Sequence, residues 1–254
     1  MRKVKLISVS GWNELTPKQL LIVAKNAAKQ NYQASFKTNV FLDINGLRIK
    51  RGNFVEKDKH GRYRKYYVFQ KNGYRKFLIE RNVFVTMLEK FDWLEDDITL
   101  MRNYPKIAGR KACDHRLYGI TLEQFIFADQ LYAYFVETKQ QKFLRQLNAV
   151  FYLDKKFDTS RVKKNARRFR FAKRAKLHST FIWYTGVKKW MMNKYPYLFR
   201  GEGGEEMSPD ESIMNMLSAL NQGDITKNET LLKTHVHEAL HQLNLMTEKA
   251  TDHV

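Results

Sequence analysis

Between Thr121 and Leu153 the chain reads TLEQFIFADQLYAYFVETKQQKFLRQLNAVFYL, and its bulky residues return at every third or fourth position. Leu122, Phe125, Ile126, Asp129, Tyr132 and Ala133 share one register, and Phe143, Leu147, Val150 and Phe151 share a second. A strand alternates with a period of two, so spacing of this kind specifies helices. Each helix carries an apolar stripe that must be buried against other helices. Thr121 stands at the N-cap position with Gln124 three residues on, the makings of a capping box. The pattern breaks near Thr138-Lys139, which predicts two helices joined there. The aromatic stripes read as core rather than as a platform for stacking bases.

Similar signals run along the rest of the chain. Thr16 can cap and Pro17 can open a first helix, with Leu20, Leu21, Val23, Ala24 and Ala27 as its stripe. Phe36, Val40, Phe41, Ile44 and Leu47 predict a helix ending near Gly46, with a strand as the rival reading. Two β-rich arms, Tyr63 to Gln70 and Tyr74 to Ile79, flank Asn72-Gly73, the strongest short hairpin signal. A helix follows with Val83, Met87, Leu88, Phe91 and Leu94 on one face, then a loop holding Pro105 and Gly109. Beyond the 121–153 pair come a basic segment and a helix with Phe181, Ile182, Trp183, Trp190 and Met191 that stops before Pro196. An acidic loop follows at about 200–211, where Glu202, Glu205 and Glu206 oppose the basic segment. A last helical pair, Ser212 to Leu220 and Asn228 to Lys249, ends the chain. The expected fold is mainly α: one bundle-like helical domain over residues 1–254 with a small hairpin insert around 63–80.

Charge narrows the function. The chain has 46 Lys and Arg against 26 Asp and Glu, a formal net charge of +20. A chain this basic meets polyanions, either nucleic acid or acidic protein surfaces. The densest run is Arg161, Lys163, Lys164, Arg167, Arg168, Arg170, Lys173, Arg174 and Lys176. Val162, Ala166 and Phe169 fit a buried stripe beneath it, and for a nucleic-acid reading Phe169, Phe171 and Trp183 are the aromatics near enough in sequence to stack on bases. A hydrophobic content of 43% excludes wholesale disorder. No apolar stretch reaches membrane-spanning length, and the basic start has too short an apolar run for a secretory signal. The lone Cys113 excludes an intrachain disulfide and a cysteine-built zinc site, which suits a reducing cytoplasm.

One motif speaks for chemistry. His237-Glu238-Ala239-Leu240-His241 spells H-E-x-x-H, the pattern by which zinc peptidases place two ligands and a general base on one helix. A zinc site needs a third protein ligand as well. One extended pattern would put Gly at 244 and His at 247, where this chain has Asn244 and Thr247. Glu248 lies about 10 Å further along the same helix, too far to share one ion. His253 falls in the tail, and nothing singles out His178 or Asp210. Val236, Ala239, Leu240 and Leu243 form the buried stripe, which leaves His237 and His241 on its flank and Glu238 toward solvent. The pentapeptide therefore reads as a coincidence of letters, with His237 and His241 the only metal candidates. Gly52-Asn53 and the Gly201–Gly204 stretch lack a phosphate loop's lysine; Cys113-Asp114-His115 and Asp96-Asp97 are neighbours in sequence without a catalytic pattern. No catalytic residue and no cofactor is expected.

Five blocks carry a likeness: WNELTPKQLLIVAK, GYRKFLIERNVFVTMLEKFDWLED, LYGITLEQFIFADQLYAYFVETKQQKFLRQLNAVFYL, STFIWYTGVKKWMMNKYPYLF and NMLSALNQGDITKNETLLKTHVHEALHQLNLM. Together they resemble a poorly characterised family encoded in tailed-phage and prophage structural gene clusters of gut anaerobes. The resemblance rests on aromatic and leucine spacing, and in the family pattern positions 237 and 241 are not fixed as histidine. It implies a non-enzymatic phage protein, a tail or neck component or a tail-assembly chaperone. Its partners would be other phage structural subunits and DNA, met in the host cytoplasm or the virion. The alternative from the residues alone is a nucleic-acid-binding protein using 161–176, with an H-E-x-x-H zinc peptidase as a remote third.

Overall fold

The Thr16 side chain accepts the Gln19 amide while Gln19 reaches back to the Thr16 amide, so α1 (Pro17–Ala27) begins with a complete capping box. The computed structural model describes residues 6–29, 35–57, 60–71, 75–153, 156–199, 218–221 and 224–251. Its main chain divides into two compact units, Met1–Ile98 and Thr99–Val254, a division absent from the one-domain reading of the sequence. The expected turn at Asn72-Gly73, the acidic 200–211 loop and most of the Ser212–Leu220 segment lie outside the described residues.

In the first unit, α2 (Phe36–Asn45) stops where Gly46 takes a left-handed conformation, φ 61°. The strand that rivalled this helix in the sequence follows it at once as β1 (Leu47–Lys57). The expected hairpin, β2 (Tyr63–Lys71) and β3 (Arg75–Glu80), is thus part of a three-stranded antiparallel sheet in the order β1-β2-β3. Phe69 of β2 is fully buried, 5.2 Å from Phe84 of α3 (Arg81–Glu89), and Phe84 meets Phe41 of α2 at 5.7 Å. The sequence had put Val83 inward, yet Val83 is 45% exposed and Phe84 is buried. The helix begins directly after β3, so the direction of the strand sets its phase. Phe91 and Leu94, counted in the same stripe, are buried beyond the helix end and around a 3-10 turn at Asp92–Leu94.

In the second unit, Lys106–Ile107 and Arg110–Lys111 pair as a short hairpin (β4, β5) over Ala108 (φ 48°) and Gly109 (φ 82°). Two successive positive φ values are what a tight hairpin turn requires. Helices α4 (Leu122–Thr138) and α5 (Gln141–Phe151) turn back on each other at Lys139, which is left-handed at φ 54°. Only half the expected capping box forms at Thr121. Its hydroxyl accepts the Gln124 amide, but the Gln124 side chain donates instead to the Val150 carbonyl at 2.7 Å and ties the two helices together. Of the expected stripes, Leu122, Phe125 and Ile126 on α4 and Leu147, Val150 and Phe151 on α5 are buried. Asp129, Tyr132, Ala133 and Phe143 are half-buried, and Leu131, Phe135 and Leu144 take the remaining core places.

Helix α7 (Arg174–Lys194) packs Trp183 against Phe151 at 5.0 Å. It is locked to α5 by Asn148, which donates to the Leu144 and Leu177 carbonyls and accepts the Thr180 hydroxyl. Gly186 is there because a Cβ would lie 2.4 Å from the Leu100 carbonyl oxygen. A short helix, α8 (Pro196–Phe199), follows. The predicted helix from Asn228 to Lys249 is two, Asn228–Lys233 and Val236–Thr251. Thr234 is extended because its carbonyl accepts the Leu122 amide at 2.8 Å, while the Val236 amide donates to the Ile120 carbonyl at 2.9 Å.

Candidate functional site

Asp158 caps α6 (Thr159–Ala166) by accepting the Ser160 amide at 3.0 Å. From there the chain runs through a 3-10 turn, Arg167–Phe171, and an extended Ala172-Lys173 link into α7. The basic segment, whose buried stripe has helical spacing in the sequence, is therefore bent rather than one continuous helix. The tighter turn brings Phe169 inward, 6.4 Å from Tyr152, in line with Val162 and Ala166. Those three are buried, as their spacing predicted. The cations opposite them form the candidate site.

Arg161, Lys164 and Arg168 line a cleft of 460 Å³ together with Arg110, Lys156, Tyr152, Asn165 and Phe169. Asp158 is the one acid among the described lining residues, and Arg161 Nε sits 2.9 Å from its carboxylate. The hydroxyl of Ser160, and then Arg161, hold that carboxyl below its ordinary range, so it stays charged and already paired. The cleft is left with a surplus of positive charge over an apolar floor. Lys163, Arg167, Lys173 and Arg174 are exposed, and Lys176 lies over the Tyr104 ring at 5.1 Å. Arg170 covers the ring of Phe171 at 4.5 Å. Lys173, Arg174 and Lys176 also crowd the start of α7, where the helix dipole is positive. Cations there cost stability and concentrate positive potential on one face.

Of the aromatics expected beside this run, Phe171 alone is at the surface, 81% exposed. Phe169 and Trp183 are core, and the Trp183 indole donates to the His115 carbonyl at 3.0 Å, so neither can stack on a base. Sequence reasoning missed Arg110 and Lys156. Lys156 had a signal, a lysine pair just ahead of Asp158, whereas Arg110 reaches the cleft from a separate hairpin and had none.

His237 is not loose on its helix flank. Its Nε2 lies 2.8 Å from the Arg116 carbonyl, which can only accept, so the proton sits on Nε2. Nδ1 is then the acceptor for the Tyr195 hydroxyl at 2.8 Å. Tyr118 and Trp190 pack on the ring, with centroids at 4.7 and 5.7 Å. Burial, with Lys194 Nζ 3.5 Å from Nδ1, holds the imidazole below its usual range. An ion at either nitrogen would have to displace a hydrogen bond. Glu238 and His241 are exposed, and among the described residues no group of three or more His, Cys, Asp and Glu side chains stands close enough to share a metal.

The Cys113 thiol is pushed up to about 12 by burial and by Asp114, so it is not a thiolate at neutral pH. His178, buried beside Arg174, is pushed down to about 4. No protein-family model matches the chain, and neither a curated protein nor a solved structure matches it.

Proposed function

We propose that the chain is a non-enzymatic docking protein whose Thr99–Val254 unit grips the phosphate backbone of nucleic acid through its basic face. The observation that carries this is the cleft, where Arg110, Lys156, Arg161, Lys164 and Arg168 converge and the one acid among the described lining residues, Asp158, is already paired. Phosphate oxygens would replace water around the exposed guanidinium and ammonium groups of Lys156, Lys164 and Arg168. In a phage particle, the setting the resemblance implies, such a face would border the genome while other surfaces met structural subunits.

The test is affinity for a labelled oligonucleotide as salt is raised from about 50 to 200 mM. Each neutralised phosphate contributes about −0.7 to the log–log slope on a single strand, so five contacts give a slope of about −3 to −4. A slope shallower than about −1, or no binding at the lowest salt, would overturn the reading.

A further inference from the structure

Arg161, Lys164, Arg168 and Phe171 follow one another at intervals of three, four and three residues. The first interval lies within an α-helix and the last within a 3-10 helix, where residues three apart eclipse. The four therefore form one stripe, about 15–20 Å long, outside the line of buried Val162 and Ala166, with Phe169 in the floor of the cleft that the three cations line. Three cations line the cleft and a phenyl ring stands at the end of the row.

Isolated exposed hydrophobic residues are ordinary on protein surfaces. Phe171 differs in three respects. At 81% it is the most exposed of the large hydrophobic side chains described. It ends a row of cations, and the Arg170 guanidinium lies over its ring at 4.5 Å, as in mixed Arg–aromatic stacks on nucleobases. Its neighbour two positions back, Phe169, shows that the same turn can bury a phenyl, so the outward aim of Phe171 is set by the turn's phase.

From this row, and resting on the backbone-binding reading above, we propose that the ligand is a single strand rather than a duplex. The phosphates lie along Arg161, Lys164 and Arg168, and an unpaired base stacks on Phe171. Bases inside a closed duplex are already stacked on one another and offer no free face to a ring standing off the protein surface. An unpaired base offers one whatever its identity, so the contact is indifferent to sequence.

The experiment measures binding of a labelled oligothymidine and of a duplex of equal length, at low salt, to the full chain and its variants. Wild type is expected to favour the single strand. Phe171→Ala should weaken single-strand binding about 5- to 100-fold and leave the duplex within about twofold. Phe171→Trp should restore the single-strand affinity, which a merely structural role for the ring would not predict. Arg168→Ala should weaken both ligands. If Phe171→Ala leaves the single strand unaffected, or weakens both ligands equally, while Arg168→Ala weakens both, the single-strand assignment is wrong and backbone docking stands. If wild type binds neither ligand, both proposals fall.

Discussion

A histidine with both ring nitrogens engaged cannot also be a ligand without a cost that can be measured. At His237 that cost is the Nε2 bond to the Arg116 carbonyl and the Tyr195 hydroxyl held on Nδ1. Removing the imidazole strands the Arg116 carbonyl and leaves the Tyr195 hydroxyl only its longer bond, 3.3 Å, to the backbone carbonyl of residue 237. His237→Ala should therefore destabilise the protein by about 1–3 kcal/mol in urea unfolding. His241 is exposed, and His241→Ala should fall within about 0.5 kcal/mol of wild type. Stoichiometric zinc should leave the melting temperature of wild type unchanged. A rise in wild type that both alanine variants abolish would restore the zinc site. The pentapeptide showed where these side chains fall on their helix: Val236, Ala239, Leu240 and Leu243 are buried and Glu238 points out. It could not show the clasp, because Arg116 and Tyr195 are remote in sequence and a carbonyl partner leaves no trace in residue type. The same limit hid Arg110, while the nine cations of 161–176 were plain from composition alone.

Elements were legible in proportion to their length and periodicity. The α4–α5 pair was readable because a stripe repeated over several turns fixes the element type, and the break at Lys139 fell where the pattern lapsed. The phase drifted along the helices, so that Leu131, Phe135 and Leu144 hold core places assigned to Tyr132, Ala133 and Phe143. Short elements took their phase from neighbours instead, as α3 did from β3 and as the Arg167–Phe171 turn did from the need to bury Phe169. The split at Thr234 followed the same rule: pairing with Ile120 and Leu122 outweighed a helical run in the sequence. Gly186 shows what periodicity cannot register. It sits inside a 21-residue helix, where alanine would ordinarily gain about 0.5–1 kcal/mol. Here the added Cβ would meet the Leu100 carbonyl oxygen at 2.4 Å and its nitrogen at 2.7 Å, backbone atoms that no rotamer change can move aside. Overpacking of that kind costs about 1–3 kcal/mol or more, so the clash prevails. Gly186→Ala should lower stability by about 2 kcal/mol, read as a shift in the urea midpoint, and a stabilised variant would show that α7 and Leu100 are less closely packed.

At the scale of the whole molecule the difficulty is that a chain of net charge +20 attracts polyanions from every side. Diffuse attraction of this kind follows net charge and is indifferent to where the charges stand, whereas a docking face depends on their arrangement. Two triple charge reversals with the same change in net charge separate the two. One takes Arg161, Lys164 and Arg168 to Glu, on the cleft of the Thr99–Val254 unit. The other takes Lys65, Lys76 and Arg81 to Glu, exposed positions in the Met1–Ile98 unit. If binding is local, the first should lose about two from the magnitude of the salt slope and most of the affinity, while the second changes the slope by less than about one. Equal losses would mean that the net charge alone does the binding and that the cleft is incidental. Folding should not confuse the result, since all six side chains stand outside the buried core. Arg161 alone among them has a close acidic partner, Asp158, and that pair is solvent-exposed and of small energetic weight.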